Sequence, residues 1–270
     1  MFELTVVVPS RNKELYIRRC LDSIYTQTYP IREVIVFDDF STDHTCSILR
    51  EYQKEHKNLT VIYSEENVGV ALARERAIRQ AKTDYVTFLD ADDFYYDSKK
   101  LEREMKMARQ VYRQTGKLCC AYSQTVLADK EGRRIDQLPV LNWDRFLRLG
   151  TVTRLYKYWL PRDYCFPQKM YFAAGGFDPG FPVYEDWDLN LRLYARCPFR
   201  FSGGYGTAYR LNTNGLSSVD YRQHLVNKKA IFKKNRHTLK YSLFESLIFY
   251  FLLYLAYTKS WIKSGGRGKV

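Results

Sequence analysis

The chain has 270 residues, enough for one large domain or two closely packed halves, and its 46% hydrophobic content is ordinary for a folded core. Its six cysteines include no C-x-x-C pair, which excludes a zinc or disulfide framework and predicts reduced, buried thiols in a cytoplasmic compartment. The net charge of +13 calls for an anionic partner (nucleic acid, a phosphorylated ligand or acidic lipid), and the 23 tyrosines suit either sugar stacking or a tyrosine-rich core.

Leu4 to Val8 is an apolar run stopped by Pro9. It predicts a buried parallel strand so near the first residue that no signal peptide is expected. Asn12 is placed to cap a helix over Glu14 to Thr26, with Leu15, Ile17, Leu21, Ile24 and Tyr25 on its apolar face. Val34 to Phe37 predicts a second buried strand, ending in Asp38 and Asp39, and Ser41 to Asp43 open a helix reaching His56. Leu59 to Tyr63 and Tyr85 to Leu89 predict two further strands, the second ending in Asp90, with a helix over Val70 to Ala81 between them. Strand and helix alternate four times, which predicts an α/β fold with a mostly parallel central sheet flanked by helices.

The pattern changes after Asp97. Lys99 to Gln114 predicts a helix, shorter mixed pieces run to Gly150, and Gly175 to Gly180 is rich in turn residues. Glu185 to Ala195 predicts a helix, Phe199 to Arg210 a strand, and Tyr221 to Lys240 a basic helix. Leu243 to Tyr257 is almost wholly apolar.

In open parallel sheets, ligands lie beyond the carboxyl ends of the strands. Those ends here carry Pro9, Ser10, Arg11 and Asn12, then Asp38 and Asp39, then Asp90, Asp92 and Asp93. Carboxylates gathered from two strands repel unless a cation joins them, and Mn²⁺ or Mg²⁺ suits such oxygen ligands while leaving positions for phosphates. No glycine-rich phosphate loop follows the first strand, so a carboxylate-held metal is the expected diphosphate binder. The plainer readings are a helix cap and turn for Asp38 to Asp43, and a loop of solvated acids for Asp90 to Asp93. Glu185 and Asp186 open a helix whose dipole favours ionised carboxylates, which a general base acting on a hydroxyl needs; acids are also common there without a function. Trp187 is read equally as a stacking platform for a sugar or as core. No G-x-S-x-G elbow or Cys/His pairing supports covalent catalysis.

The succession VVVPSRN, VIVFDDFSTD, NVGVALARERAI, FLDADD, GGFD and EDWDLNLRL resembles the family 2 glycosyltransferases over roughly residues 3 to 215. The resemblance implies a GT-A type fold, a nucleoside diphosphate sugar donor, and transfer to a hydroxyl with inversion. It places Pro9, Arg11 and Glu14 at the nucleobase and ribose, Asp39 on a uracil ring, and Asn67, Arg74 and Asp90 along the nucleotide. It gives Asp92 to the metal, with Asp93 as a substitute in some members. Asp186 is the implied catalytic base, with Glu185 and Trp187 beside the donor sugar or acceptor. On this basis residues 1–97 are the nucleotide-sugar half and 98–220 the acceptor half. Phe40 stands where many members have glycine, and Asn212 where many have a metal-binding histidine, leaving Asn212, His224 or water to serve.

Residues 221–270 form a basic, apolar helical tail. Its apolar run is shorter than the roughly 20 residues needed to span a bilayer, and its basic flanks suit a helix lying on an anionic leaflet. Docking on the core or in a dimer seam is the competing reading. No nucleic-acid reader motif accompanies the charge. The expected protein is a UDP-sugar-dependent transferase acting on a glycan or lipid-linked acceptor for surface polysaccharide, peripheral on the inner face of the cell membrane. The rivals are a sugar nucleotidyltransferase and a membrane-bound partner protein with a degenerate site.

Overall fold

The computed structural model describes residues 1–138, 161, 163–181, 183–211 and 221–236, together with 244, 246–247, 249–251, 253–255 and 258. Strands β1 (Leu4–Ser10), β2 (Glu33–Asp38), β3 (Leu59–Tyr63) and β4 (Tyr85–Phe88) run parallel in the order β3-β2-β1-β4, and the short β8 (Phe166–Pro167) adds an antiparallel edge beside β4. All of β1 is buried. Its alternate residues serve opposite faces, which explains a continuous apolar run in a sheet covered on both sides. Val6 and Val8 pack with Ile17 and Leu21 of α1 (Ile17–Tyr25), Leu49 of α2 (Thr45–Glu55) and Met105 of α4 (Lys100–Thr115). Val7 faces the other way, with Ala73, Ala77 and Ile78 of α3 (Val70–Gln80) and Leu189 of α6 (Glu185–Tyr194).

A second sheet has the order β5-β9-β6-β7, from β5 (Phe94–Tyr95), β9 (Phe199–Arg210), β6 (Cys120–Ala128) and β7 (Arg134–Gln137). Strand β6 runs parallel to β9, while β5 and β7 are antiparallel to their neighbours. The acidic stretch Asp90 to Asp93 lies between β4 and β5, so it crosses from the first sheet to the second and sits where the two meet. After β8, α5 (Gln168–Ala173) ends in a turn at Gly175 and Gly176, both at positive φ. A Cβ on Gly176 would lie 2.4 Å from the Glu75 carboxylate, so only glycine allows this close approach. The chain then forms α6 and, after β9, α7 (Tyr221–Asn235).

The first helix departs from expectation. It begins at Ile17 rather than Glu14, and Asn12, at φ 51, does not cap it. The Asn12 side chain instead accepts the Thr42 N–H at 2.8 Å, tying the first loop to the second, and Leu15 is 81% exposed rather than on the core face. The second helix likewise starts at Thr45, after the turn formed by Ser41 to Asp43.

Candidate active site

The first two loops at the carboxyl edge are stitched together by backbone donors. Lys13 N–H reaches Thr45 Oγ1 at 2.8 Å, Glu14 N–H reaches Asp43 Oδ2 at 3.1 Å, and the Glu14 carboxylate accepts the His44 N–H at 2.9 Å. Glu14 therefore faces the start of α2, whose unpaired N–H groups and dipole favour an acid. Asp39 is buried and holds the third loop: its carboxylate accepts Val68 N–H at 2.6 Å and Gly69 N–H at 2.9 Å. The Asn67 amide, oriented to satisfy both neighbours, donates to Asp39 Oδ2 at 2.8 Å and accepts from Arg11 Nη1 at 2.9 Å. Arg11, Asn67 and Asp39 thus form one chain of polar contacts beside Pro9. Phe40 has φ 61, the left-handed conformation that glycine adopts freely, so its loop carries backbone strain of about 1–3 kcal/mol.

The cation that joins the acids is supplied first by the protein. Arg74, buried on α3, places Nη1 at 2.6 Å from Glu185 Oε1 and Nη2 against Asp90 Oδ1, with its guanidinium over Phe88 and Phe177. Phe177 is fixed there because its N–H donates to Glu75 at 3.2 Å, and Tyr171 donates to the same carboxylate. Burial works against the Arg74 charge, but Asp90 and Glu185 outweigh it and raise its pKa. Glu185 is pushed up to about 7, first by burial and then by the neighbouring Asp186 carboxylate, against the pull of Arg74. Asp92 pairs with Lys13 Nζ at 2.7 Å. Asp93 turns inward and accepts the Arg210 N–H at 2.9 Å, while Arg210 Nε donates to the Asp92 carbonyl at 2.7 Å. The Asp-x-Asp segment is thus braced from β9.

Arg74, Asp90, Asp93, Asp163, Asp186 and Tyr209 line one cleft that is open to solvent. Asp186 Oδ1 accepts the Trp187 N–H at 2.7 Å at the start of α6, where Tyr184 takes φ 73. Trp187 is 2% exposed and packs with Leu191, Ile231 and Phe232, so of its two readings the core one describes where the ring lies. His224 shares a hydrogen bond with Tyr184 through Nδ1 at 2.9 Å, and Asn212 lies outside the described residues.

No group of three or more His, Cys, Asp and Glu side chains forms a metal cage among the described residues. A hard divalent ion that arrives with a diphosphate needs only one or two protein carboxylates. Asp92, part-exposed on the loop between the sheets, fits that role, with Asp90 next to it in the cleft wall.

Three residues on the cleft wall or behind it had no signal in the sequence: Lys100, Glu104 and Asp163. Lys100 and Glu104 are fully buried, and Lys100 Nζ lies 3.0 Å from both Glu104 Oε2 and Asp163 Oδ2. Thr87 and Thr207 hydroxyls donate to Asp163, and Ser123 to Glu104. A helical lysine and glutamate four apart read as a surface pair. Asp163 is brought to them from the segment before β8, through the β4–β8 pairing and the bridge between Cys165 and Ala121.

A family model described as "Glycosyl transferase family 2" matches residues 5–171. The chain belongs to this family. Its first 36%-identical relative is the "Putative teichuronic acid biosynthesis glycosyltransferase TuaG" of Bacillus subtilis, matched over 136 residues, 50% of this chain and 51% of that protein. The "Poly(ribitol-phosphate) beta-glucosyltransferase" of Bacillus spizizenii is 41% identical over 95 residues, 34% of this chain and 15% of that protein. The chain thus spans about half of the first relative's length and much less of the second's. Among solved structures, Staphylococcus aureus TarS 1-349 in complex with UDP-GlcNAc superposes with TM-score 0.65 at 22% identity, covering 87% of this chain and 66% of that one. The mannosyltransferase PcManGT of Pyrobaculum calidifontis, in complex with GDP-Man and Mn²⁺, gives TM-score 0.59 at 21% identity, covering 88% and 68%. At these identities the superpositions establish the GT-A fold of the family 2 chain.

Proposed function

We propose that this family 2 chain moves a sugar from a UDP-sugar donor to a hydroxyl acceptor with inversion at the anomeric carbon, in the assembly of a cell-surface or lipid-linked polysaccharide. The observation that carries the reading is the convergence of Arg74, Asp90, Glu185 and Asp186 around one open cleft at the carboxyl edge of a parallel sheet. The surface-polymer names of the Bacillus relatives and the UDP and UDP-GlcNAc complexes of TarS support the substrate class.

In this reading Pro9, Arg11, Asn67 and Asp39 receive the base and ribose, and Glu14 shapes that pocket by holding the second loop. Asp186 takes the proton of the acceptor hydroxyl while the hydroxyl oxygen bonds to the anomeric carbon. The bond from that carbon to the diphosphate oxygen breaks on the opposite face, and its electron pair leaves with the nucleotide. Arg74 sets a fixed positive charge beside the departing group and needs no reorganisation to do so. A divalent Mn²⁺ or Mg²⁺ held at Asp92 would neutralise the charge growing on the diphosphate.

Incubation with UDP-glucose, UDP-GlcNAc and GDP-mannose, each with Mn²⁺ or with EDTA, tests the reading. Release of UDP from a UDP-sugar, stimulated by the metal, is expected. Release from no donor would favour a degenerate site. Formation of UTP and sugar 1-phosphate only on addition of pyrophosphate would make the chain a nucleotidyltransferase.

A further inference from the structure

The tail has two apolar faces. Its described residues between 244 and 258 are helical. At about 100° per residue, Ser246, Phe249, Tyr250 and Leu253 share one side, and Phe244, Leu247, Phe251, Tyr254 and Leu255 share the other. The first side is docked: Phe249 stacks on Phe232 of α7 with ring centroids 4.2 Å apart, and Phe249 and Leu253 join Trp187 and Leu191 of α6 in one buried cluster. The second side is uncovered, with Phe244 70% and Phe251 63% exposed and Leu247, Tyr254 and Leu255 each about half or more exposed. A continuous stripe of large apolar side chains is unusual on a monomer and marks an interaction surface. Docking on the core thus describes one side of the described residues of this run, and the other side is exposed.

Charge decides what covers the stripe. From residue 221 onward the chain carries eleven Lys and Arg against the single acid Glu245, so this segment holds ten of the thirteen net positive charges. Arg222 and Lys233 on α7 and Arg236 just after it are exposed, and Lys229 Nζ meets Tyr254 Oη at 2.7 Å at the border of the stripe. A second copy would bring the same basic surface against itself. An anionic bilayer offers the opposite charge and an apolar interior at once. No helix among the described residues is long and apolar enough to cross a membrane. A helix of this length covers roughly 22 Å at 1.5 Å per residue, less than the hydrocarbon core of about 30 Å.

We infer that the stripe Phe244, Leu247, Phe251, Tyr254 and Leu255 docks flat into the interface of an anionic lipid bilayer, with the basic face of α7 on the headgroups. Because the opposite side of the same helix stacks on α7 and shares one buried cluster with α6, the element that begins with Glu185 and Asp186, docking fixes the cleft relative to the bilayer plane. An acceptor on a lipid anchor would then approach from a constant direction. The lipid contact itself does not depend on the proposed chemistry.

Sedimentation of the full chain with phosphatidylglycerol-containing vesicles, and with phosphatidylcholine alone, tests the inference. Binding to the anionic vesicles only is expected. The triple variant Leu247→Ser, Phe251→Ser, Leu255→Ser should bind roughly tenfold more weakly or worse, and should melt with the parent because these side chains lie outside the core. Should it fail to fold, Lys233→Glu with Arg236→Glu gives a second reading, with binding lost at low salt. Failure of the full chain to bind anionic vesicles would overturn the inference, as would unchanged binding by the folded triple variant. Light scattering that shows a dimer broken by the triple variant, without vesicle binding, would assign the stripe to a seam between two copies.

Discussion

Two ionic clusters adjoin the cleft, and they are built from the same parts. Each sets one cation between two carboxylates, with aromatic faces against the cation: Arg74 with Asp90, Glu185, Phe88 and Phe177, and Lys100 with Glu104, Asp163 and Tyr95. They differ in their access to water. The side chains of Lys100 and Glu104 are 0% exposed, whereas that of Asp90 is 32% exposed. Hydroxyls of Thr87, Ser123 and Thr207 complete the Lys100 cluster, whose Asp163 and Thr207 reach the cleft wall, while Arg74 Nε is buried with no hydrogen-bond partner among the described residues. A closed network of this kind fixes geometry, and an open one leaves acceptors and charge for a ligand. The Lys100 cluster ties α4 to the second sheet, and the Arg74 cluster presents its acids to the cleft.

The comparison breaks most visibly through the residue beside the open cluster. Asp186→Asn is expected to lower transfer by about 10²–10⁴-fold while leaving donor affinity and melting temperature near the parent's. Turnover above about a tenth of the parent's would move the base to Glu185. Lys100→Met should act in the opposite sense. It strands two buried carboxylates, so urea unfolding should show a loss of about 3–5 kcal/mol. Asp90→Asn, whose site water can enter and whose Arg74 keeps Glu185, should cost less by the same measurement yet impair UDP-sugar turnover. Equal stability losses for Lys100→Met and Asp90→Asn would erase the distinction between the clusters.

The acids of the Arg74 cluster were legible in the sequence and the Lys100 cluster was not. Asp39 and Asp90 stand at the ends of strands whose hydrophobic period is plain, so strand order carries them to one edge; Glu185 and Asp186 open a plain helix, and Arg74 was singled out by the family resemblance alone. The four parallel strands and α6 follow from the same local signal. The second sheet does not: β6 pairs with β9, which begins about 70 residues after β6 ends, with register shifts between Tyr122 and Gln124 and again between Gln124 and Val126 that no alternation announces. Asp163 gains its meaning only from a short edge pairing, the two residues of β8 beside β4 and the Cys165–Ala121 bridge, which is too brief to leave a pattern. Asn12 misled for a related reason: a good cap residue found a better partner in Thr42, thirty positions away. The tail was posed as lipid or core because composition does not resolve the two sides of a helix that is apolar on both.

The smallest effect bears most closely on the nature of the Arg74 cluster. Burial, and after it the Asp186 carboxylate, pushes Glu185 from the ordinary 4.5 to about 7 against the pull of Arg74. Between those values the folded chain keeps a proton that the unfolded chain has released, so stability should fall as pH rises through the window and this group should add no slope on either side. Glu185→Gln cannot ionise, but its amide oxygen still accepts from Arg74. The variant should match the parent at low pH, diverge through the window, and be the more stable of the two at about pH 8. Slopes from other groups cancel in the difference between the two curves, which is the quantity to measure by urea unfolding. A variant less stable than its parent at about pH 8 would show that the ion pair with Arg74 outweighs burial. The open cluster would then be energetically closed like its counterpart at Lys100, and exposure alone would separate the two.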